Sequence, residues 1–477
     1  MTASHRRPAA LLVVLLTGQA MASMDTSIAA VAAPAIRADL GGPAAVQQLV
    51  LAGYTLTFAV LVVVGARLGA RHGGPRVFLL GLAGFTLASA ACGLAPTPVA
   101  LVFARVAQGA AGALMVPQVL ALIRSAVPDR TRARAIGAYS MVLALGVAAG
   151  QILGGLLVTL DLGGLTWRLA FLVNVPVGVV LHLVGRRVLA DPPAVPLRRE
   201  PLDLPGAGLL AAAMLTLVLP LVLDAATWIR VVAVATGAVG LRLFLRYEHR
   251  RARRDRAPLL DVTVLRHPVV PAGLLACCVV MGCYAGFLFV FTLRAQDVLG
   301  LSALAAGSAF LPYATGFALC GLAVARLPGP VRAVLPVAGP SVLAAVVVAV
   351  AGLSARGWPW AAGSVLLLLG GAAHAAAFSP LVTRLADVVP ASAAAALSAF
   401  VSTGTLLAAV LGVTVVGGLH LGLTAAGAAG SALALPPALA TAALLLAGAF
   451  AARRAVRPAV VAPDTGIPDR IVDQFNC

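Results

Sequence analysis

The sequence contains no lysine: all 34 of its Lys and Arg residues are arginine, in a chain of 477 residues. Without lysine there is no phosphate-binding G-x-x-x-x-G-K-[ST] loop, which excludes ATP hydrolysis through a P-loop of its own. A retinal or pyridoxal Schiff base is excluded too, because it needs a lysine amine. Cysteine is also scarce, and Cys277, Cys278 and Cys283 lie together on an apolar stretch without other ligand types, which favours buried thiols over a metal site.

Charge is scarce as well, since 10% of the residues are charged and 61% are hydrophobic. A soluble protein carries about 25% charged residues, so this composition cannot cover a water-soluble surface. Apolar runs of about 20 residues recur along the chain, which predicts an all-α polytopic membrane protein. The first run continues to Pro34, so it is interpreted as a retained helix rather than a signal peptide. Fourteen helices are predicted, near 10–33, 46–66, 77–95, 98–123, 134–159, 167–186, 204–223, 227–246, 269–292, 303–325, 333–353, 360–381, 393–418 and 434–452.

The positions of the arginines predict the orientation. An even number of helices puts both termini on one side, and most arginines then fall in the termini and in the loops on that side. This bias is the positive-inside pattern, so both termini are expected to be cytoplasmic and the chain to be a multi-pass protein of the cell membrane. The net charge of +18 therefore indicates orientation and not a nucleic-acid partner. One arginine, Arg105, falls inside a helix, and five fall outside: Arg37, Arg168, Arg230, Arg294 and Arg356.

The tryptophans give a second indication of the same orientation. Indole rings are enriched at the interface between membrane and water. All four fall at predicted outer helix ends: Trp167, Trp228, Trp358 and Trp360.

A short repeat divides the chain. Residues 54–68 and 313–327 share the pattern Tyr-x-x-x-Phe-Ala followed by Ala-Arg-Leu. Unless this match is due to chance, it predicts two parallel six-helix halves with two helices inserted between them, and parallel repeats of this kind hold a substrate between the halves. The arginine-rich link that follows the insertion is expected to contact anionic lipid headgroups. The predicted units are a first bundle (1–195), two inserted helices (196–248), a basic cytoplasmic link (249–267), a second bundle (268–457) and a cytoplasmic tail (458–477).

Two ionisable residues lie within predicted helices, where each costs a few kcal/mol at the bilayer centre. Asp25 and Arg105 both fall roughly 10–12 Å below the outer face at 1.5 Å per residue, which suggests a pair. Either the pair is static and fixes helix packing, or Asp25 carries a proton whose affinity Arg105 tunes.

Glycine and glutamine accompany these charges. Gln108 and Gly109 stand one turn beyond Arg105, and Gly112 and Pro117 follow. In the fifth helix small residues recur at a four-residue spacing, which permits close helix approach or sliding during transport; simple packing is the alternative. The residues of this stretch are Gly146, Gly150, Gln151, Gly154 and Gly155.

The segment 65–76 is a glycine-rich basic turn, which by itself could be an ordinary connection between two membrane helices. Its motif residues are Gly65, Arg67, Gly69, Arg71 and Gly73.

Together these stretches resemble the fourteen-helix drug:proton antiporters of the major facilitator superfamily. The similarity spans nearly the whole chain: residues 24–34, 65–76, 105–117 and 146–155, the stretch from Trp167 to Gly178, and 203–206. It implies the major facilitator fold and alternating-access export of a small amphipathic organic compound, such as a drug, antibiotic or secondary metabolite, against protons. It also implies coupling through Asp25 and Arg105, no cofactor beyond the proton gradient, and a monomer in the lipid bilayer.

Two positions depart from the family pattern. Ala70 replaces the usual acidic residue of the loop motif. This puts in doubt the charged contact that in the family holds the cytoplasmic side closed. Gln151 replaces the usual proline of the antiporter motif.

The substrate is expected to be neutral, weakly acidic or monocationic, because Asp25 is the one carboxylate predicted within the membrane. Glu200 and Glu248, the only glutamates, are assigned to cytoplasmic segments. Each cavity candidate could equally be a packing residue, His374 included. The candidates are Tyr54, Met115, Tyr139, Asn174, Tyr284, Phe287, Tyr313, His374 and Phe378.

Other classes are weighed against this one. A membrane enzyme is disfavoured because there is no H-E-x-x-H or G-x-S-x-G motif and no pair of intramembrane carboxylates. An uncoupled facilitator or a non-transporting sensor of the same fold stays as the alternative.

Overall fold

A computed structural model of the protein describes residues 6–41, 44–189, 203–222, 226–254, 262–324, 326–355, 357–389 and 394–456. These residues are nearly all helical. Arg356, the predicted tail 458–477 and parts of the segments before and after the inserted helices lie outside them. The helices are α1 Arg6–Leu40, α2 Ala44–His72, α3 Gly74–Gly93, α4 Pro98–Ala126, α5 Asp129–Leu160, α6 Arg168–Val188, α7 Leu204–Val222, α8 Thr227–Ala252, α9 Val269–Val298, α10 Ala303–Val324, α11 Gly329–Ser354, α12 Trp360–Val388, α13 394–425 and α14 Gly430–Val456.

The fourteen predicted helices correspond to these fourteen. Within the described residues, 12 are long and apolar enough to cross a membrane, and the other two are shorter apolar segments, Gly146–Leu160 in α5 and Leu204–Pro220 in α7. The all-α membrane fold predicted from composition is thus confirmed.

Three predicted boundaries are wrong. The first helix continues through Pro34 to Leu40, because an internal proline removes only one backbone hydrogen bond. The predicted turn 65–76 is mostly helical: α2 runs to His72 and α3 starts at Gly74. The connection is Gly73 alone, whose φ of 94° is one that glycine adopts without strain. The helix α8 extends to Ala252, past the position 248 predicted as a boundary.

The two halves repeat the same packing. In the first half α2 and α3 pack on α4, and α1 packs on α5; in the second, α10 and α11 pack on α12, and α9 packs on α13. The correspondence extends to single contacts. Gly109 of α4 lies against the carbonyl oxygen of Tyr54, and Gly371 of α12 lies against that of Tyr313, so that a Cβ at either glycine would overlap the backbone.

We distinguish two ends of the helix bundle. The termini face is the end at which α1 begins and α14 ends, and the far face is the end at which α1 ends and α2 begins. The halves meet at the far face through an ion pair of Arg37 and Asp297, 3.9 Å apart, and through Gln296 Nε2, which donates to the Val31 carbonyl at 3.1 Å. The contact of α5 with α10 lies at the same face. The inserted helices pack on α2 and α13.

The tryptophans depart in part from the prediction. Trp228 and Trp360 are exposed, with 69% and 47% of their surface accessible, as an interfacial position requires. Trp167 is fully buried instead, and its Nε1 donates to Asp39 at 2.9 Å. Trp167 thus lies at a helix end as predicted but is covered by protein, because this carboxylate gives the indole a partner inside the protein.

Candidate functional site

The structure joins the two predicted intramembrane charges. Asp25 lies near the middle of α1 and Arg105 in the second turn of α4, and Arg105 Nη1 donates to Asp25 Oδ2. Both side chains are 0% exposed. Burial of two charges in this way is tolerated only when they are paired and hydrogen-bonded.

A ring of amides and a hydroxyl surrounds the ion pair. Gln108 Oε1 accepts from Arg105 Nη1 at 2.7 Å, and Gln108 Nε2 donates to Asp25 Oδ1 at 2.7 Å and to Ser89 Oγ at 2.8 Å. Asn174 of α6, predicted as a cavity residue, donates to Asp25 Oδ1 at 3.3 Å. Gln108 stands three residues beyond Arg105, so one helix face supplies both groups.

Arg105 has anchors that do not depend on Asp25. Its Nε donates to the Val50 carbonyl at 3.0 Å. Its guanidinium carbon lies 4.5 Å from the ring centre of Tyr54 and 5.5 Å from that of Phe171, which are cation–π distances. These contacts hold the guanidinium from sides other than that of the carboxylate.

This arrangement can hold one negative charge that is removable by a proton. Asp25 accepts hydrogen bonds from Arg105, Gln108 and Asn174, so its oxygens have donors inside the protein. Since the carboxylate is fully buried, protonation requires that the helices around it open to water. A static ion pair that only fixes the packing of α1 on α4 has the same geometry.

The glycine seam of α5 faces α1 close to Asp25. A Cβ at Gly146 would lie 2.7 Å from Ser23 Cβ, one at Gly150 would overlap Ser27, and one at Gly154 would lie 3.1 Å from Ile28 Cα. Such distances leave no room for a side chain.

The end of the same seam faces the second half. A Cβ at Gly155 would overlap the Ala303 carbonyl of α10, and one at Gly307 would overlap the carbonyl of Gln151. Helix α5 thus touches the helix of Asp25 on one side and α10 on the other.

The predicted loop motif closes α2 onto α4. Gly65 lies against the backbone of Ala113, and Gln118 Nε2 donates to the Gly65 carbonyl at 2.8 Å. Gly69 lies against the Gln118 side chain. Ala70 and Arg71 are exposed, and Arg67 is half-buried.

The remaining motif residues of α4 are Gly112, which faces α2, and Pro117. A Cβ at Gly112 would lie 3.2 Å from the Phe58 ring. Pro117 lies within the helix.

Five of the predicted cavity residues form an aromatic cluster in the second half. Tyr313 Oη and His374 Nδ1 lie 3.0 Å apart. The rings of Tyr284 and Tyr313 stack with centres 5.6 Å apart, and that of Tyr284 lies 4.7 Å from His374. Phe310, which no sequence motif singles out, stacks on Tyr313 with ring centres 4.7 Å apart. The cluster consists of Tyr284, Phe287, Tyr313, His374 and Phe378, joined by Phe291, Phe310 and Phe317.

Other candidates lie elsewhere. Met115 is fully buried against Gly81 of α3, and half-buried Tyr139 packs on the same first-half core. Tyr54 joins the ion pair rather than the aromatic cluster. Of the predicted cavity residues, Tyr54 and Asn174 therefore lie at the charged centre, five lie in the aromatic cluster, and Met115 and Tyr139 lie in neither.

Two carboxylates besides Asp25 are buried, at the ends of the inserted helices that lie on the termini face. Asp203 and Glu248 are 1% and 0% exposed, between the inserted helices and beside Gly206. Asp203 Oδ1 accepts from the Gly206 amide and from Tyr247 Oη, both at 3.0 Å. Glu248 was assigned to a loop because the predicted eighth helix ended too early.

Sequence reasoning also missed a buried arginine. Arg294 was assigned to the outer loops, yet its side chain is buried in the last turn of α9. The signal available was its distance of two residues from the predicted end of the ninth helix.

Comparison with known proteins finds one family model and several membrane transporters that match this chain. The model of the Major Facilitator Superfamily matches residues 15–413. The probable actinorhodin transporter of Streptomyces coelicolor is 39% identical over 65% of this chain and 54% of its own length. The cephamycin export protein CmcT of Amycolatopsis lactamdurans is 39% identical over 66% of this chain and 64% of its own length. The multidrug resistance protein Stp of Mycobacterium tuberculosis is 31% identical over 85% of this chain and 75% of its own length.

Solved structures show the same fold. A bacterial homologue of the human lysosomal transporter Spinster, in an inward-facing and occupied conformation, superposes with a TM-score of 0.65 over 94% of this chain and 97% of its own, at 16% identity. A D-xylose–proton symporter superposes with a TM-score of 0.61 over 93% of this chain and 96% of its own, at 14% identity.

Proposed function

Because the chain belongs to the major facilitator superfamily, we propose that it exports a small amphipathic organic compound across the cytoplasmic membrane in exchange for protons. The chain is a transporter and not an enzyme. The observation that carries the proposal is the ion pair of Asp25 with Arg105, fully buried in the membrane-spanning bundle. A group that costs several kcal/mol to bury is expected to do more than pack.

Asp25 is the proposed proton carrier. A proton on this carboxylate removes the charge that holds Arg105 Nη1, whereas the Val50 carbonyl and the Tyr54 ring still hold the rest of the guanidinium. Loss of the proton restores the pair. Proton uptake and release thus alternate between a tight and a loose contact of α1 with α4.

Helix α5 is the proposed link to the conformational change. Gly150 allows α5 to touch α1 one and two residues from Asp25, and Gly155 allows it to touch α10 of the other half. A shift of α1 therefore reaches the contact between the halves. With the termini in the cytoplasm, the contacts at the far face support an inward-facing assignment for this conformation.

The aromatic cluster of the second half is the proposed contact surface for the substrate. It offers stacked rings together with the Tyr313–His374 polar pair, which suits an organic compound with aromatic and polar parts. The names of similar proteins, an actinorhodin transporter and a cephamycin exporter, supply two compounds to test first.

The test uses everted membrane vesicles with an imposed pH gradient. Accumulation of actinorhodin or cephamycin and the accompanying proton flux are recorded for the wild type and for Asp25→Asn. We expect the variant to lose gradient-driven accumulation. The matched control is Asp39→Asn, also on α1, whose carboxylate is half-exposed and pairs with Arg168 at the far face; it should keep transport.

Undiminished coupled flux in Asp25→Asn would contradict the role of this residue. Substrate movement that ignores the pH gradient in the wild type would identify an uncoupled facilitator. Binding without movement of either species would identify a sensor.

A further inference from the structure

Arg294 is a buried cation that the ion-pair mechanism does not use. It opens the last turn of α9, Arg294–Val298, which is π-helical, and it is 4% exposed. Its Nη2 donates to the Ser354 carbonyl at 3.3 Å. Among the described residues its Nε and Nη1 have no hydrogen-bond partner.

No carboxylate of the same turn neutralises this charge. Asp297 pairs with Arg37 of α1 instead. Arg105, in contrast, is neutralised by Asp25 and also anchored by the Val50 carbonyl. A buried guanidinium with two free N–H groups costs several kcal/mol unless an anion or another acceptor reaches it.

The arginine lines a small cavity between α9, α11, α13 and α14. The cavity holds about 30 Å³, which is enough for one small polar group but not for a large ligand. Most of its wall is apolar, and Arg294 is its one charged residue. The side chains that matter here are Phe287, Phe291, Arg294, Ser354, Val416 and Thr441.

Two further features mark this cavity as adaptable. Val416 belongs to a second π-helical turn, Val413–Gly417 in α13, so π-helical turns from two helices border one cavity. Such turns are rare and are frequent at functional sites. Moreover, the ring centres of Phe287 and Phe291 lie 6.5 Å and 6.1 Å from that of Phe310, so the cavity and the aromatic cluster share part of their wall.

We propose that Arg294 binds the carboxylate, or an equivalent single negative charge, of an aromatic substrate, and that the cavity widens so that the ring lies against Phe287 and Phe291. The inference rests on the proposed export function and narrows its substrate class to aromatic monoanions. The unpartnered Nη1 and Nε supply N–H donors on two edges of the guanidinium, and a carboxylate can accept at such an edge. A dication is disfavoured by the same charge.

Binding of benzoate and benzamide to the full chain in lipid nanodiscs tests the proposal, because the two probes share a ring and differ in charge. Trp358 serves as the reporter, since its ring centre lies 5.2 Å from that of Phe291; a Trp358→Phe variant identifies its signal. In a chloride-free buffer without carboxylate anions we expect benzoate to bind at least tenfold more tightly than benzamide. Arg294→Gln should lose that preference, and Arg168→Gln, at the same face but paired with Asp39, should keep it.

Equal binding of the two probes, or an unchanged preference in Arg294→Gln, would overturn the proposal. Chloride that displaces benzoate at the same concentration would mean that the site takes an inorganic anion, which overturns the substrate assignment. If Arg294→Gln does not fold, Arg294→Lys keeps the charge without the fork and should bind benzoate more weakly than the wild type but still prefer it to benzamide. The binding test is independent of the test of proton-coupled export. If the wild type shows no gradient-driven flux, the export proposal fails while these binding results are unchanged.

Discussion

Tyr313 and His374 face each other across α10 and α12, with Oη and Nδ1 3.0 Å apart. Their counterparts in the first half are Tyr54 and Gly112: each tyrosine carbonyl meets a glycine, Gly109 or Gly371, three residues before Gly112 or His374. The same backbone arrangement therefore places the Arg105 cation beside the tyrosine in the first half and the His374 imidazole beside it in the second. The duplication is structural, while the chemistry of the two halves differs.

The hydroxyl of Tyr313 stabilises the second half. Tyr313→Phe leaves His374 Nδ1 buried without its partner, which is expected to cost about 1–3 kcal/mol of unfolding free energy. Tyr139→Phe is the control, since Tyr139 is half-buried in the first-half core. Thermal unfolding of both variants in nanodiscs measures the difference, and equal melting temperatures would show that the pair contributes nothing.

The two charges of the ion pair are expected to depend on each other. Arg105→Gln leaves the Asp25 carboxylate buried without its cation and should cost about 3–5 kcal/mol. The double variant Asp25→Asn/Arg105→Gln removes both charges and should regain much of that stability without regaining proton-coupled transport. Unfolding and vesicle flux are measured on the same preparations. A purely static pair predicts that transport returns together with stability.

Gly155 is expected to control the closure of the far face. Gly155→Ala places a Cβ on the Ala303 carbonyl, so the halves have to separate there. Disulfide formation between cysteines placed at Arg37 and Asp297, in a background without the six native cysteines, should fall severalfold. Gly422→Ala is the control because its Cβ would meet nothing within 4 Å. Unchanged cross-linking would mean that α5 does not hold the halves together.

The inserted helices are held by Asp203. Asp203→Asn weakens its contact with Arg251 Nε, which lies 3.2 Å from Oδ2, while keeping an acceptor for the Gly206 amide and Tyr247. We expect a loss of about 1–3 kcal/mol in stability with proton coupling intact, because Asp203 lies outside the charged centre. Asp203→Ala should cost more. Loss of coupling at full stability would instead place the inserted helices in the transport mechanism.

Much of the architecture could be predicted because it depends on composition and periodicity. Apolar runs predict the helices, and the rarity of intramembrane charge singles out Asp25 and Arg105, which the structure brings into contact. Both groups need a partner in a medium that solvates neither. A shared depth was therefore enough to suggest the contact.

What could not be predicted depends on helix ends and on contacts distant in sequence. Glu248 was placed in a loop because charged residues hide the continuation of α8 to Ala252. Trp167 is buried because Asp39, far away in sequence, accepts from its indole. Arg294 is buried because a π-helical turn extends α9 beyond its apolar run. No local pattern reveals these partners.

The glycine contacts that lock α2 to α4 and α10 to α12 also have a mechanical consequence. Helices whose backbones touch at Gly109 and Gly371 cannot slide past one another without atomic overlap. Each half is therefore expected to move as a rigid body. The one-residue connection at Gly73 limits how far α2 and α3 can separate. We therefore expect a transport cycle to rotate each half as a unit rather than to slide its helices along one another.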